Sequence, residues 1–282
     1  MRYLKAYQQD FPHTVVSGDL TLHLDEEGTA DILEPISVLL AQRDNGTLRR
    51  SISGCMSGVR SRLFVKTVEL ESLPSRLRVT LGRQRRLGGY DWPIAELMNS
   101  VDAWRQGASV PRLRGFGYRR QGLFPVRELF LISDMLDGHV DGKFWLTQPQ
   151  MQIEAFLQGA FALIRELHEK HVCHLDLWAG NIMLDPQRLD AMKVVDLENC
   201  YIGHPPYWSE ALGFQFAFLF LRLVQDHIDE ARYDHLVHAA LDQYPGIDRV
   251  GFERVYSLCK HQQISRKKRR DLLLTGNLQL RG

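Results

Sequence analysis

The densest run of side chains able to do chemistry is His174-Leu-Asp-Leu-Trp-Ala-Gly-Asn181. Asp196 follows fifteen residues after Asn181, at the end of the β-like Lys193-Val-Val-Asp196. Phosphoryl transfer needs such a set. One carboxylate orients or accepts the proton of an attacking hydroxyl, while an amide oxygen and a second carboxylate hold Mg²⁺ against phosphate oxygens. Asp176 is thus the catalytic candidate, and Asn181 and Asp196 are the metal-ligating candidates. H-x-D-x-x-x-x-N alone is a weak pattern. The spaced Asp196 and the flanking elements make it more specific.

Phosphate also needs a cation, held in place by an acid. Lys66 lies inside the apolar run Leu63-Phe-Val-Lys-Thr-Val68, in a chain with only 8 Lys among its 35 basic residues. A compact ammonium suits a phosphate clamp better than a guanidinium fork. On the next helix the one glutamate is Glu96. Read singly, Lys66 could be a snorkelling strand lysine and Glu96 a solvated helix residue; read in order with Asp176, Asn181 and Asp196 they form a set. Gly54 and Gly58, in Gly54-Cys-Met-Ser-Gly58, could fold over phosphates, although this is not G-x-G-x-x-G and an ordinary turn is an equal reading. Backbone groups near Asp134, Met135 and Leu136 could pair an adenine edge, or form a plain linker. No G-x-x-x-x-G-K-[ST] occurs, which excludes the P-loop class of nucleoside triphosphatase.

The elements that must position these residues can be read from pattern. Residues 1 to about 70 suggest short strands, with turns at Asp25–Gly28 and a hairpin at Asp44-Asn-Gly46. Arg62–Leu70 reads as a strand. Asp91–Gly107 reads as a helix, with Asp91 as N-cap and Gly107 as its stop. Val126–Leu136 reads as a strand. Thr147-Gln-Pro-Gln150 resembles a capping box opening a helix to about Lys170, with Phe156, Ala160, Leu163, Ile164 and Leu167 on one face. Short strands follow near Ile182–Leu184 and Lys193–Asp196, and the remainder reads as helical. The expected architecture is α+β: a β-rich lobe over 1–136, a mainly helical lobe over 137–282, and a ligand cleft between them.

Composition narrows the class. Over 282 residues, 44 % are hydrophobic and 24 % charged, which excludes disorder. The net charge of +1 is unlike that of a dedicated nucleic-acid binder. Cys55, Cys173, Cys200 and Cys259 form no C-x-x-C pair, as suits a reducing compartment. The first residues lack the apolar core of a secretion signal. The apolar stretch Leu212–Val224 is too short to span a bilayer and reads as a buried helix.

With these residues in view, the chain resembles the protein-kinase-like superfamily. More narrowly, it looks like the small bacterial lipopolysaccharide kinase (Kdo/heptose) family. The resemblance runs from about Arg50 to Leu221 and rests on Lys66, Glu96, Asp134-Met-Leu136, the 174–181 loop and Asp196-Leu-Glu198. It implies a two-lobed fold whose first lobe is an antiparallel sheet with one helix. It also implies ATP and Mg²⁺ as cofactors, Asp176 as catalytic base, Asn181 and Asp196 as metal ligands, Lys66 as phosphate clamp with Glu96 its partner, and His174 as a brace. Asp196-Leu-Glu198 replaces Asp-Phe-Gly, a variant these kinases share. Leu175 and Trp178 stand where regulated protein kinases carry Arg and Lys, and no Ala-Pro-Glu follows. The departures favour a small-molecule or glycolipid acceptor. The resemblance alone implies that the acceptor is a lipopolysaccharide core sugar at the cytoplasmic face of the inner membrane. A pseudokinase scaffold and a soluble aminoglycoside- or choline-type kinase are the alternatives.

Other clusters have weaker claims. His168, His171 and His174 lack zinc spacing, and His227, His235 and His238 read as surface residues. Arg76–Arg86 and Arg266–Arg270 are basic runs in a neutral chain. They read as solvated surface, or as contacts to an anionic membrane or phosphorylated acceptor. No stacking platform accompanies them, so nucleic acid is not expected.

Overall fold

The structure, a computed structural model, describes residues 5–27, 32–44, 51–57, 62–85 and 89–278. The chain divides into one unit of Met1–Trp104 with Pro111–Asp137 and a second of Arg105–Val110 with Gly138–Gly282.

The first unit is built on β1 (His13–Ser17), β2 (Leu20–Leu24), β3 (Ser51–Ser57), β4 (Arg62–Glu69), β5 (Leu113–Arg119) and β6 (Glu128–Asp134). They form one antiparallel sheet in the order β1-β2-β5-β6-β4-β3. Its helices are α1 (Lys5–Gln8), α2 (Leu33–Asp44), α3 (Leu73–Leu81) and α4 (Trp92–Arg105). Side chains alternate across a strand, so β6 serves both faces. Phe130 and Ile132 pack with Leu63, Val65 and, from α2, Ile36 and Leu40. Leu131 packs with Phe116 and, from α4, Leu97 and Val101. Lys66 is registered opposite Leu131, and the alternation of β4 places it on the α4 side.

Two helices here escape the pattern reading. α2 stands where strands and a hairpin at Asp44-Asn-Gly46 were expected; Asn45 and Gly46 lie outside the described residues. Its run Ile36–Leu40 looks strand-like, yet Ile36 and Leu40 are buried at helical spacing while Val38 is exposed. Pro35 falls in the first turn, where its missing N–H costs nothing. α3 is capped by Ser72, whose hydroxyl accepts from the Ser75 N–H, and ends on Gly82 in the left-handed region at φ 68°. It buries only Val79, so no inward apolar stripe announces it. α4 matches its expected span, but the Asp91 carboxylate is not its cap. That carboxylate accepts from Arg78 and Arg85 at 2.9 Å each, while the Asp91 carbonyl receives the Ile94 and Ala95 N–H groups. Burial alone would raise the Asp91 pKa; the two guanidiniums outweigh it and hold the carboxyl below its ordinary value.

The second unit contains β7 (Val140–Asp141), β8 (Val172–His174), β9 (Ile182–Asp185), β10 (Arg188–Val194) and β11 (Cys200–Ile202). β7, β9 and β10 form one small sheet, and β8 pairs with β11 in another. The helices are α5 (Gly142–Trp145), α6 (Ile153–Glu169), α7 (Trp208–Leu221), α8 (Glu230–Leu241), α9 (Arg249–Cys259) and α10 (Arg266–Thr275). α6 begins after the expected capping box. Its N-cap position is Gln152, without a side-chain bond, and the Thr147 hydroxyl instead donates to the Phe144 carbonyl. The face expected to be buried, Phe156 to Leu167, is buried. α7 is the apolar stretch read as a buried helix, and it is buried along almost its whole length. It passes so close to α9 that a Cβ on Gly213 would lie 2.4 Å from the Phe252 carbonyl oxygen.

Candidate active site

Each unit contributes one half of the predicted constellation. In the first, β4 and α4 bring together two residues 30 positions apart. Lys66 Nζ donates to Glu96 Oε1 at 2.8 Å and Oε2 at 2.9 Å. The Glu96 side chain is 7 % exposed and that of Lys66 21 %, so the pair is largely shielded from water. Lys66 also lies 5.6 Å from the centre of the Trp92 ring.

The other expected nucleotide contacts are Gly54, Gly58 and the segment Asp134–Leu136. Gly54 lies inside β3, opposite Val65, and a Cβ there would meet Leu39 of α2 at 3.2 Å. It is part of the sheet, not of a free loop. Gly58 lies outside the described residues. The N–H of Asp134 donates to the Arg112 carbonyl at 2.9 Å, and that of Met135 to the Arg62 carbonyl at 3.0 Å. Those two N–H groups are engaged within the unit, so an adenine edge would pair with other backbone groups of this segment. Leu136 directly follows them.

In the second unit the 174–181 segment joins β8 to β9. Leu175 and Leu177 are buried at 1 % and 0 % exposure, while Asp176, in the turn between them, keeps its side chain 14 % exposed. His174 ties the loop at two points. Its Nδ1 accepts from the Asp176 N–H at 3.1 Å, and its Nε2 lies 3.1 Å from the Val195 carbonyl oxygen. That pattern selects the neutral ring with its proton on Nε2, in keeping with complete burial, which lowers the His174 pKa. Gln215 of α7 supports the same residue, donating to its carbonyl at 3.3 Å.

Asn181 donates from Nδ2 to the Asp176 carbonyl at 2.9 Å, which fixes its amide and leaves Oδ1 as the acceptor end. Its own carbonyl accepts the N–H of Val195 at 3.0 Å, directly before Asp196. Asp196 itself sits in the left-handed region at φ 63°, which Asp tolerates better than most residues. A glycine is required at 180, because a Cβ there would lie 2.5 Å from the Trp178 ring. An amide oxygen and a carboxylate are hard donors of the kind Mg²⁺ prefers, so Asn181 and Asp196 fit that ion. His168, His171 and His174 do not converge on a metal. His168 packs on Trp208, and the His171 ring lies against that of His204.

Sequence reasoning missed what holds Asp176. Arg269 of α10 donates to Asp176 Oδ1 at 2.7 Å and to the Leu175 carbonyl at 3.0 Å. Its guanidinium lies 4.2 Å from the centre of the Phe218 ring. Arg266 reaches Asp176 Oδ2 at 3.4 Å and also pairs with Glu198. Arg270 donates to Asn199 Oδ1 at 3.2 Å. Arg266 and Arg269 thus face the 174–181 loop of their own unit, and Arg270 the segment that follows Asp196. The only signal was an arginine run on an amphipathic segment, and that does not reveal a partner 93 residues away.

The solved structure described as "WaaP in complex with acyl carrier protein" matches with a TM-score of 0.51 at 17 % identity, over 84 % of this chain and 98 % of that one. At that identity the likeness establishes the fold, which is the two-lobed protein-kinase-like α+β class expected from sequence. No curated protein matches. Residues 63–210, more than half of the 282, match the family model described as lipopolysaccharide kinase (Kdo/WaaP) family. The matched span takes in Lys66, Glu96, Asp176, Asn181 and Asp196, and the chain accordingly belongs to the lipopolysaccharide kinase family and is a kinase.

Proposed function

We propose that the kinase moves the γ-phosphoryl group of ATP, with Mg²⁺, to a hydroxyl of a lipopolysaccharide core sugar. Asp176 orients the acceptor hydroxyl and takes its proton. Lys66, held by Glu96, binds nucleotide phosphate. Asn181 and Asp196 hold Mg²⁺, which when bound neutralises charge on the phosphate oxygens. His174, kept neutral by burial, fixes the loop without reacting. The observation that carries the reading is the Lys66–Glu96 pair, two largely shielded charges that bond through both carboxylate oxygens. Among the described residues no helix is long and apolar enough to cross a membrane. We place the enzyme in the cytoplasm, where ATP is available, working on a lipid-borne acceptor at the inner membrane.

The test is transfer of radiolabel from γ-labelled ATP to lipopolysaccharide, protein and small-molecule acceptors in parallel, with and without a chelator. Label should enter lipopolysaccharide, and only with divalent metal present. Lys66→Met should lower turnover about a hundredfold or more, as expected for loss of a charge clamp on the transferred group. Label in an aminoglycoside or choline but not in lipopolysaccharide would overturn the acceptor assignment.

A further inference from the structure

The first unit exposes apolar side chains in two places that share one cleft. α3 turns Leu73, Leu77 and Leu81 outward, at 60 %, 43 % and 56 % exposure. These positions are four apart, so the three leucines form one stripe along the helix. Beyond β5, the turn at Gln121–Pro125 presents Leu123 at 95 % and Phe124 at 73 % exposure.

That turn is built rather than loose. The Phe124 N–H donates to the Gln121 carbonyl at 3.0 Å. Arg120 donates from Nε to the Phe124 carbonyl at 2.8 Å and from Nη2 to the Leu123 carbonyl at 3.3 Å. One arginine thus holds both carbonyls inward. Thr80 of α3 accepts the Val126 N–H at 2.8 Å, which pins the helix beside the turn.

Between stripe and turn lies a cleft of about 440 Å³. Leu73 and Phe124 line it together with Arg76, Arg119, Arg120 and Arg127. Asp19 and Glu69 offset part of that charge through Arg119, Arg76 and Arg127. The surface therefore combines a cluster of arginines with large exposed apolar groups.

We infer that this face docks on the anionic surface of a lipid bilayer, the arginines meeting phosphate headgroups and Leu73, Leu77, Leu81, Leu123 and Phe124 entering the interface. A bilayer fits because it presents anionic headgroups and acyl chains together across a broad plane, matching a surface that joins clustered arginines with exposed leucines and a phenylalanine. The inference deepens the proposed function, since a lipid-borne acceptor would be met at such a surface.

The test is cosedimentation of the full chain with phosphatidylcholine vesicles, with and without phosphatidylglycerol, beside an assay of phosphotransfer from ATP. Wild type should pellet with the anionic vesicles and remain in solution with the neutral ones. The double variant Leu123→Ser/Phe124→Ser and, separately, Leu73→Gln/Leu77→Gln should each weaken vesicle binding about tenfold or more, with unchanged transfer to a delipidated acceptor. Arg76→Gln/Arg127→Gln should weaken it at low salt. Equal binding to both vesicle types, binding to neither, or unchanged binding by the apolar variants would overturn the docking surface. So would a wild-type dimer that the apolar variants convert to monomer without loss of vesicle binding. Failure of docking with phosphotransfer intact refutes this surface alone. Docking without phosphotransfer refutes the proposed function and leaves the surface standing.

Discussion

Arg269 and Asp176 lie 93 residues apart, and their 2.7 Å bond is 9 % and 14 % exposed at its two ends. The Arg269 guanidinium on Oδ1, with Arg266 at 3.4 Å from Oδ2, thus sets the direction of the carboxylate proposed to receive the acceptor hydroxyl. Arg269→Ala would remove one partner of a mostly buried charged pair, at a cost of about 3 kcal/mol in stability. Misdirection of Asp176 should lower kcat about a hundredfold with little change in nucleotide KM. Arg269→Lys restores a charge but not the fork that also reaches the Leu175 carbonyl, so it should recover stability better than kcat. Thermal melts and steady-state kinetics of the two variants check this. Equal loss of kcat and stability in both would leave Arg269 as packing alone. At this scale the sequence singles out Lys66, Glu96, Asp176, Asn181 and Asp196 by their order and spacing, with Lys66 one of only 8 lysines. It does not disclose Arg269 or Arg266, because an arginine on a helix looks the same whether it faces water or a carboxylate.

Elements were legible where burial is one-sided and regular. β4, β6, α4 and α6 carry clear periods and lie where the pattern puts them. α2 and α3 were not legible, for different reasons. α2 fully buries only Ile36 and Leu40 of the run Ile36-Ser-Val-Leu-Leu40, whose β-branched and apolar residues imitate a strand. α3 turns its leucines to solvent, so its caps at Ser72 and Gly82 are its real signature. The capping box at Thr147–Gln150 was a false signal, since Thr147 serves the preceding turn around Phe144. Close approach between elements is equally silent in sequence. α7 meets α9 at Gly213, where a methyl group would strike the Phe252 carbonyl oxygen at 2.4 Å. Gly213→Ala should therefore destabilise the protein by about 1–3 kcal/mol, although alanine favours helix. Denaturant unfolding would show it; a stabilised variant would mean that the helices separate freely.

Across the whole molecule, three histidines share one sign of linkage. Burial lowers the pKa of His23, His168 and His174 below the ordinary value near 6.5. Unfolding returns each to that value, so below about pH 6.5 the unfolded chain binds more protons than the folded one. Stability from these groups is fully present above that pH and is lost as pH falls below it. The melting temperature should drop on acidification from about pH 7 to 5.5. His174→Gln should melt lower at pH 7 and show a flatter decline, and an equally steep decline would remove His174 from the linkage. The class of architecture was legible from the change of pattern near residue 137. The exact partition was not, because Arg105–Val110 belong with the second unit. There the Ser109 N–H meets Glu166 at 3.1 Å and the Ser109 carbonyl receives the Val194 N–H at 2.9 Å. Such long-range returns leave no periodic trace.

The central claim is that Asp176 serves phosphoryl transfer in a loop that His174, Asn181 and Arg269 hold in place. The most direct measurement is single-turnover transfer from γ-labelled ATP to lipopolysaccharide by wild type and Asp176→Ala, each shown folded by its melting profile. The account predicts a loss of about a hundredfold to ten-thousandfold in the variant, with ATP binding retained. Transfer at the wild-type rate by a folded Asp176→Ala protein would contradict it.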